Sequence, residues 1–552
     1  MELQANMAHT DHQWFTDKTI VDRIQYWRQT DSHEPAFIFR SSNGRFTLSR
    51  GDVLDLSSRF ASRLTKGGLK PGEVVCIALP NTPERIVVEF GVHLAGGVSM
   101  NGQILREDGC DLAESINSVR CKILISDIER SDSAWGLLQK HFTILESGKD
   151  LLKVTSDFVK DLEIVQLCRI QRHSEGFLAG LRSEQLFVYD RTKPTDLATI
   201  FTTSGSSGYT KLVKQSHRNI LNSGYMFSIC THLSAPDKIY HSSPLGWAGG
   251  YPAHFLYTGC TRILVDAGAG PITDFASLIW NAVNEEDVSV FNAVPIHVEL
   301  LYQQAKKKGF DRPPFKKIIT GGQPIKRANL CALGFLADSL QIVYGATELG
   351  YIASLNVGID SVAVFRDFTV GYPLPGVQLK VDCESTTALH NESRGEVLVK
   401  SPTLCMGYAG DEPIPITDGW FRTGDIGYMN KDGSVAVEGR SSDAIMHGSY
   451  VLYPTWMEKV LMACPGVQQV AIVPVPHQVM HHEICACVQP QAGAETTTED
   501  VIMFCRKELA LAQTSTLNVV PKYVVFFEAF PLTSTGKLDR KKLSAEATSK
   551  LS

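Results

Sequence analysis

No stretch of this chain approaches the roughly 18 apolar residues of a membrane-crossing helix, so a helical membrane span is not expected. Nor is there an excess of positive charge. The chain has 53 Lys and Arg against 59 Asp and Glu, a formal net charge of −6. Such a chain has no general attraction for phosphate backbones, and nucleic acid is not expected as a partner. Cysteine pairs at zinc-site separations are missing too. The 13 cysteines are odd in number and scattered, which reads as reduced thiols in a cytosol-like compartment, not as a disulfide framework or a zinc site. The first residues, MELQANMAHTDHQWF, contain no apolar run, so no signal peptide is expected. The tripeptide SKL at 549–551 is followed by Ser552 and should not act as a C-terminal address. Together these features predict a cytoplasmic protein. There is no internal repeat and no low-complexity tract.

What is present is an ordinary globular balance, with 43% hydrophobic and 20% charged residues over 552 positions. That length exceeds one hydrophobic core, so at least two domains are expected. Val53, Leu56, Phe60 and Leu64 share a helical face that Gly67 and Gly68 should end. VVCIAL (74–79) reads as a buried strand. Thr82, Pro83 and Glu84 then read as an N-cap, a first-turn proline and a first-turn acid. The helix they open carries Ile86, Val87, Phe90 and Leu94. Further strands are predicted at 262–265, 288–291, 317–320 and 341–344, with a helix near 275–283. This alternation predicts a layered α/β architecture containing parallel sheet. After Gly371 come short strands with Gly and Pro turns, a small β unit, and then a compact α+β segment from about Arg440. The stretch 131–195 is polar and irregular and gives no readable pattern.

Four short motifs carry chemistry. TTSGSSGYTK (202–211) follows the apolar strand LATIF. Gly205 and Gly208 allow close backbone approach, Thr203, Ser204, Ser206 and Ser207 offer hydroxyl donors, and Lys211 adds charge. Such a loop can wrap a polyphosphate, although alone it is equally a flexible Ser/Gly linker. YGATE (344–348) ends a strand, where ligands bind in open α/β sheets. Its acid, Glu348, can serve Mg²⁺, which prefers oxygen ligands. A solvated loop acid is the plainer reading of Glu348 by itself. WFRTGD followed by EGR places Asp425 and Arg440 in a Gly-rich β region, as a ribose-binding carboxylate or as a surface salt bridge. PLTSTGKLDR (531–540) presents Lys537 after a glycine, in a basic tail where an exposed lysine would be unremarkable.

In this order, the four motifs resemble the series of the adenylate-forming (AMP-binding) superfamily of acyl-CoA synthetases, peptide-synthetase adenylation domains and beetle-type luciferases. The resemblance runs from about Phe46 to Leu543 and includes LPNTPE (79–84), GGQP (321–324), GYPLPG (371–376) and GEVLVKSPTLCMGY (395–408). It implies a large N-terminal domain of layered α/β subdomains plus a small β unit, over 1–439. A small mobile α+β domain would follow over 440–552, with Ser442 at the hinge. It also implies ATP-dependent activation of a carboxylic acid to an acyl-adenylate, then an acyl-CoA thioester, with ATP, Mg²⁺ and CoA as cofactors or co-substrates and no fused carrier domain. By resemblance, Thr203, Ser204, Gly205, Ser206, Ser207, Gly208 and Lys211 form the phosphate loop. Gly322, Gln323, Pro324, Tyr344, Gly345 and Ala346 line the nucleotide site, with Thr347 beside the acyl-phosphate and Glu348 on Mg²⁺. Asp425 and Arg440 contact ribose, and Lys537 stabilises charge during adenylation. The acid pocket is expected around Trp247, Val294, Gly321 and Tyr344.

The departures bear on the second half-reaction. Where relatives show GRxDDxIKxxGxxxxPxExE, this chain reads GRSSDAIMHGSYVLYPTWME. Met446 stands for the usual Lys, Ser449 for the Gly that makes room for pantetheine, and Trp456 for the first Glu. A luciferase-like oxygenase or a CoA-independent adenylating enzyme is therefore the alternative. His477, His481 and His482 lie where the family has an ordinary loop and strand.

Overall fold

The computed structural model describes residues 17–41, 44–104, 108–148, 150–170, 176–204, 210–266, 275–308, 315–330, 332–383, 394–410, 412–443, 445–447, 450–452, 454–477, 481–508, 520–533 and 537–551. The chain forms two compact units. One comprises Met1–Arg366, Gly371–Gln378 and Lys400–Pro415, the other Asp367–Val370, Leu379–Val399 and Ile416–Ser552.

The first unit is the layered α/β architecture that the sequence predicts. One sheet, nine-stranded among the described residues, has a parallel centre. Leu197–Ser204, Val98–Asn101, Val74–Ala78, Ile123–Asp127 and Ile164–Cys168 lie side by side in that order. Antiparallel strands finish both edges. The strands Thr143–Ser147 and Leu151–Thr155 supply one edge, so the unreadable stretch 131–195 contains regular structure. Thr143–Ser147 is exposed at every position, and so it lacks the alternation by which a half-buried strand is recognised.

A second sheet in this unit runs Gly350–Gly358, Ser339–Ala346, Lys317–Gly321, Val290–Asn292, Lys238–His241, Thr261–Val265, Pro35–Ser41, Gly44–Ser49. The strand predicted at 288–291 begins two residues later. Val288 still closes the preceding helix, its N–H donating to the Val283 carbonyl at 3.1 Å.

Helix Arg50–Lys66 ends at its C-cap Gly67. Helix Pro83–Leu94 starts as predicted, with the Thr82 side chain accepting from the Arg85 N–H and Pro83 in the first turn. Every residue of this second helix is buried. Gly91 lets the two helices approach closely, because a Cβ there would lie 2.7 Å from the Phe60 ring. A polar stripe, Arg85, Glu89 and His93, is spaced four residues apart along one face. Arg85 donates to the Leu79 carbonyl at 2.8 Å and to Asn101 Oδ1. Glu89 accepts from Ser99, and His93 Nε2 meets the Tyr251 hydroxyl at 2.8 Å. Such buried polar groups are tolerable only when partnered in this way.

In the second unit, Arg394–Lys400, Trp420–Met429 and Val435–Arg440 form an antiparallel run. A sheet, five-stranded among the described residues, is built on the long hairpin of Val467–His477 and His481–Pro490, which contains His477 and His481 as ordinary hairpin residues. Helices Pro454–Leu461 and Arg540–Leu551 pack on it. No helix among the described residues is long and apolar enough to cross a membrane.

Candidate active site

Strands Leu197–Ser204 and Thr210–Ser216 form an antiparallel hairpin that pairs Thr203 with Lys211 and Ser204 with Thr210. The expected phosphate loop is the tip of this hairpin. Its residues Gly205, Ser206, Ser207 and Gly208 lie outside the described residues, so the structure gives the base of the loop. There, the Lys211 ammonium sits 2.6 Å from Glu412 Oε1 and 4.9 Å from the centroid of the Tyr408 ring, within cation–π range.

The strand predicted at 341–344 runs on to Ala346, turns back over Thr347, Glu348 and Leu349, and returns as Gly350–Gly358. Glycine is required at this tip. A Cβ on Gly345 would collide with the Gly350 carbonyl, and Gly350 itself has φ of +67°. Successive carbonyls of the turn are held by neighbouring segments. Thr347 O accepts from Gln215 Nε2 at 2.7 Å, and Glu348 O from the Cys405 N–H at 2.7 Å. Leu349 O accepts from both Ser401 Oγ and Thr403 Oγ1.

The Glu348 carboxylate accepts a hydrogen bond from the Tyr408 hydroxyl at 2.9 Å. Burial and the charge of Glu348 push the Tyr408 phenol well above its ordinary pKa, so it remains a donor. One tyrosine thus links the carboxylate of the second motif to the lysine of the first.

The remaining expected residues of this unit lie along one sheet edge. Lys238–His241, Val290–Asn292, Lys317–Gly321 and Ser339–Ala346 are parallel neighbours. Beyond their carboxyl ends follow, respectively, Trp247, Val294, the group Gly322, Gln323 and Pro324, and Thr347 with Glu348. Gly321 and Tyr344 sit in the last turns of their strands. Open α/β sheets bind ligands outside this end of their strands. Gly321 has no room for a side chain, because a Cβ would strike the Val343 carbonyl, and Gly322 has φ of +76°.

In the second unit, Asp425 and Arg440 face each other across paired strands, with Arg440 Nε 2.9 Å from Asp425 Oδ1. Arg440 also donates to the Thr423 carbonyl at 2.8 Å. Ser442 follows in the short turn Ser441–Asp443, before strand Ile445–His447. The loop carrying Lys537 is closed at its base. The Thr533 N–H donates to the Lys537 carbonyl at 2.7 Å, and the Asp539 N–H to the Pro531 carbonyl at 2.9 Å. The Lys537 side chain is exposed overall, yet its ammonium end senses both Arg440 and Asp425. Desolvation first and the Arg440 charge second pull its pKa below the usual lysine value, while Asp425 opposes them.

The AMP-binding enzyme family matches residues 24–409, and the AMP-binding enzyme C-terminal domain matches 457–537. The chain belongs to the AMP-binding enzymes. Among curated relatives, the mitochondrial medium-chain acyl-CoA ligase ACSF2 of Bos taurus is 25% identical, over 96% of this chain and 87% of its own length. The oxalate–CoA ligase of Arabidopsis thaliana is 27% identical, over 91% and 94%. The solved anthranilate CoA ligase AuaEII, in complex with anthranoyl-AMP, superposes with a TM-score of 0.77 at 18% identity, covering 97% of this chain and 98% of that one. It shares the fold.

As an AMP-binding enzyme, the chain has Glu348 and Tyr408 inside the first matched range and Lys537 as the last residue of the second. Asp425 and Arg440 lie between the two. Sequence reasoning gave no role to Tyr408 or Glu412. Tyr408 was within reach, since it ends the quoted motif GEVLVKSPTLCMGY. Its partnership with Glu348 spans 60 residues and leaves no trace in local spacing.

Proposed function

We propose that this AMP-binding enzyme is an AMP-forming acid:CoA ligase. The carboxylate of the acid attacks the α-phosphorus of ATP, the bond to the β-phosphate breaks, and pyrophosphate leaves. The thiol sulfur of CoA then attacks the acyl carbon, AMP departs with the former carboxylate oxygen, and the thiol proton passes to water. The carboxylate is already a nucleophile, so the protein's task is alignment and charge stabilisation. Thr203 to Gly208 and Lys211 hold the phosphates, Tyr344 to Ala346 with Gly322 to Pro324 hold the base, and Asp425 with Arg440 holds the ribose. Lys537 neutralises charge during adenylation. The segment 440–552 turns about Ser442 between the two steps.

The observation that carries this reading is the linkage Glu348–Tyr408–Lys211. It brings an oxygen ligand and a phosphate-binding cation to one place, although they come from separate motifs. Glu348 suits Mg²⁺, being a hard carboxylate on a rigid turn with Thr347 beside it. When bound, the ion supplies charge neutralisation for the leaving pyrophosphate. The names of the acyl-CoA and oxalate–CoA ligase relatives support CoA as the acceptor.

The test is incubation with ATP, Mg²⁺ and a panel of C2 to C16 and aryl acids, with and without CoA, followed by product identification. A CoA-dependent thioester with AMP is the expected result. Adenylate without thioester would make the enzyme CoA-independent, as the changes at Met446 and Ser449 allow. An oxidised product would make it luciferase-like, and no AMP with any acid would overturn the whole reading.

A further inference from the structure

Arg262 is the largest fully buried side chain among the described residues, at 0% exposure. Among the described residues it has no carboxylate partner. Burying a guanidinium in this state is costly unless its donors are satisfied. Its two Nη groups are spent on backbone, while Nε is buried without a hydrogen-bond partner. Nη1 donates to the Gly250 carbonyl, and Nη2 donates to the Ser243 carbonyl at 3.0 Å and more weakly to the His241 carbonyl at 3.4 Å. These carbonyls bracket the segment PLGWAGG, 244–250, which carries Trp247. One strand residue thus grips both ends of one loop.

The same loop is held from its other side. Asn81 Oδ1 accepts from the Leu245 N–H at 2.8 Å. A Cβ on Gly246 would lie 2.9 Å from Arg85 Nη2, and one on Gly250 would collide with the Pro244 carbonyl. Tyr251, just beyond, is tied through its hydroxyl to His93. The loop is therefore a preset wall, pinned by groups from strand Thr261–Val265, from the turn after strand Val74–Ala78 and from helix Pro83–Leu94.

We infer that Arg262 is a specificity-determining positioning residue, which fixes the 244–250 loop and through it the acid-binding wall at Trp247. The inference rests on the reading above that Trp247 borders the acid pocket. Arg262 touches backbone and not the reacting atoms, so its effect should appear in discrimination among acids and not in the handling of ATP. The planar guanidinium offers its two Nη groups to the carbonyls in a fixed fork, whereas a lysine ammonium presents a single nitrogen.

The experiment measures adenylation by pyrophosphate exchange for a series of acids differing by two carbons, in the wild type, Arg262→Met, Arg262→Lys and Asn81→Ala, each checked for folding by its thermal transition. Arg262→Met removes the clamp but keeps apolar volume. The KM for the preferred acid should rise, and the kcat/KM ratio between it and the acid two carbons longer should fall by about 10-fold, the scale of one or two methylenes in a pocket. The KM for ATP should stay within about 2-fold, a change too small to signify lost nucleotide contacts. Arg262→Lys should recover part of the ratio. Asn81→Ala releases the loop from the opposite side and should shift the ratio in the same direction, so the inference stays testable if Arg262→Met fails to fold. An unchanged ratio in folded Arg262→Met, or in Asn81→Ala, would overturn the inference while leaving the ligase reading intact. A selective loss of dicarboxylic acids alone would also overturn it, showing that the guanidinium reads a substrate anion. Absence of exchange by the wild type with every acid would instead refute the ligase reading.

Discussion

Tyr408 does two things with one side chain. Its hydroxyl fixes the Glu348 carboxylate, and its ring lies under the Lys211 ammonium. Tyr408→Phe separates the two, removing the hydroxyl and keeping the ring. A hydrogen bond to a charged group contributes about 1.5–3 kcal/mol, so adenylation should fall by roughly 10- to 100-fold. On the proposal that Glu348 holds Mg²⁺, part of the loss should be recovered at higher Mg²⁺, since a loosened carboxylate would hold the ion less well. An unchanged Mg²⁺ dependence in pyrophosphate exchange would show that Glu348 is not the Mg²⁺ ligand. Lys537 makes a pH prediction. Desolvation and the Arg440 charge lower its pKa, and the protonated form is the one that stabilises a developing negative charge. Adenylation should therefore be full below that lowered pKa and decline as pH rises through it, beginning below the range in which an ordinary lysine titrates. Arg stays charged throughout, so the alkaline decline should be absent from whatever activity Lys537→Arg retains. A decline at the same pH in both proteins would assign it to another group.

Among elements, the helix Arg540–Leu551 is anchored by its first residue. Arg540 makes a bidentate contact with the buried Glu458, at 2.6 and 2.9 Å, and donates to the Ile472 carbonyl at 3.0 Å. Removing one partner of a buried pair strands the other charge, at a cost of about 3–5 kcal/mol. Arg540→Leu should destabilise the second unit by that amount in denaturant titration. Glu458→Leu combined with it should be markedly milder, and a double-variant loss equal to the sum of the two single-variant losses would show that the pair carries no coupling. This contact was illegible in the sequence, because Glu458 and Arg540 are 82 residues apart. Helix Pro83–Leu94 was legible to its first turn, since Thr82, Pro83 and Glu84 act through local backbone chemistry. Strand Thr143–Ser147 was not, having no buried face to set a period. At the site, glycines and chemistry-bearing residues announced themselves as motifs. The contacts that hold them did not: Tyr408 and Asn81 lie inside quoted motifs and Arg262 in an expected strand, but a positioning contact depends on which distant backbone or side chain arrives beside it.

At the scale of the whole molecule, the final 440–552 stretch contains its own apolar clusters. One gathers Ile445, Met457, Leu461, Ile472 and Val501, another Val473, Val525, Leu543 and Ala547. A segment with its own core can fold alone. The fragment 440–552 should therefore show a cooperative thermal transition, while binding no ATP because Asp425 is absent from it. A fragment that melts without cooperativity would place the boundary earlier, with the strands Trp420–Met429 and Val435–Arg440. The chain elsewhere passes between the units at 366/367, 370/371, 378/379, 399/400 and 415/416. One of the returning segments carries Gly407–Tyr408, which pairs with Thr210–Ser216 and completes the edge of the nine-stranded sheet. During synthesis, that edge must wait for roughly 190 more residues to be translated, on the order of 10–40 s at ordinary ribosome speeds. Until then Val213 and Lys214 present unpaired backbone, and Lys211 and Glu348 lack the tyrosine that joins them. The nascent protein has the strands that flank 205–209 long before it has the tyrosine that completes them, and a ribosome that stalls between residues 216 and 407 leaves an open strand edge for another chain to take.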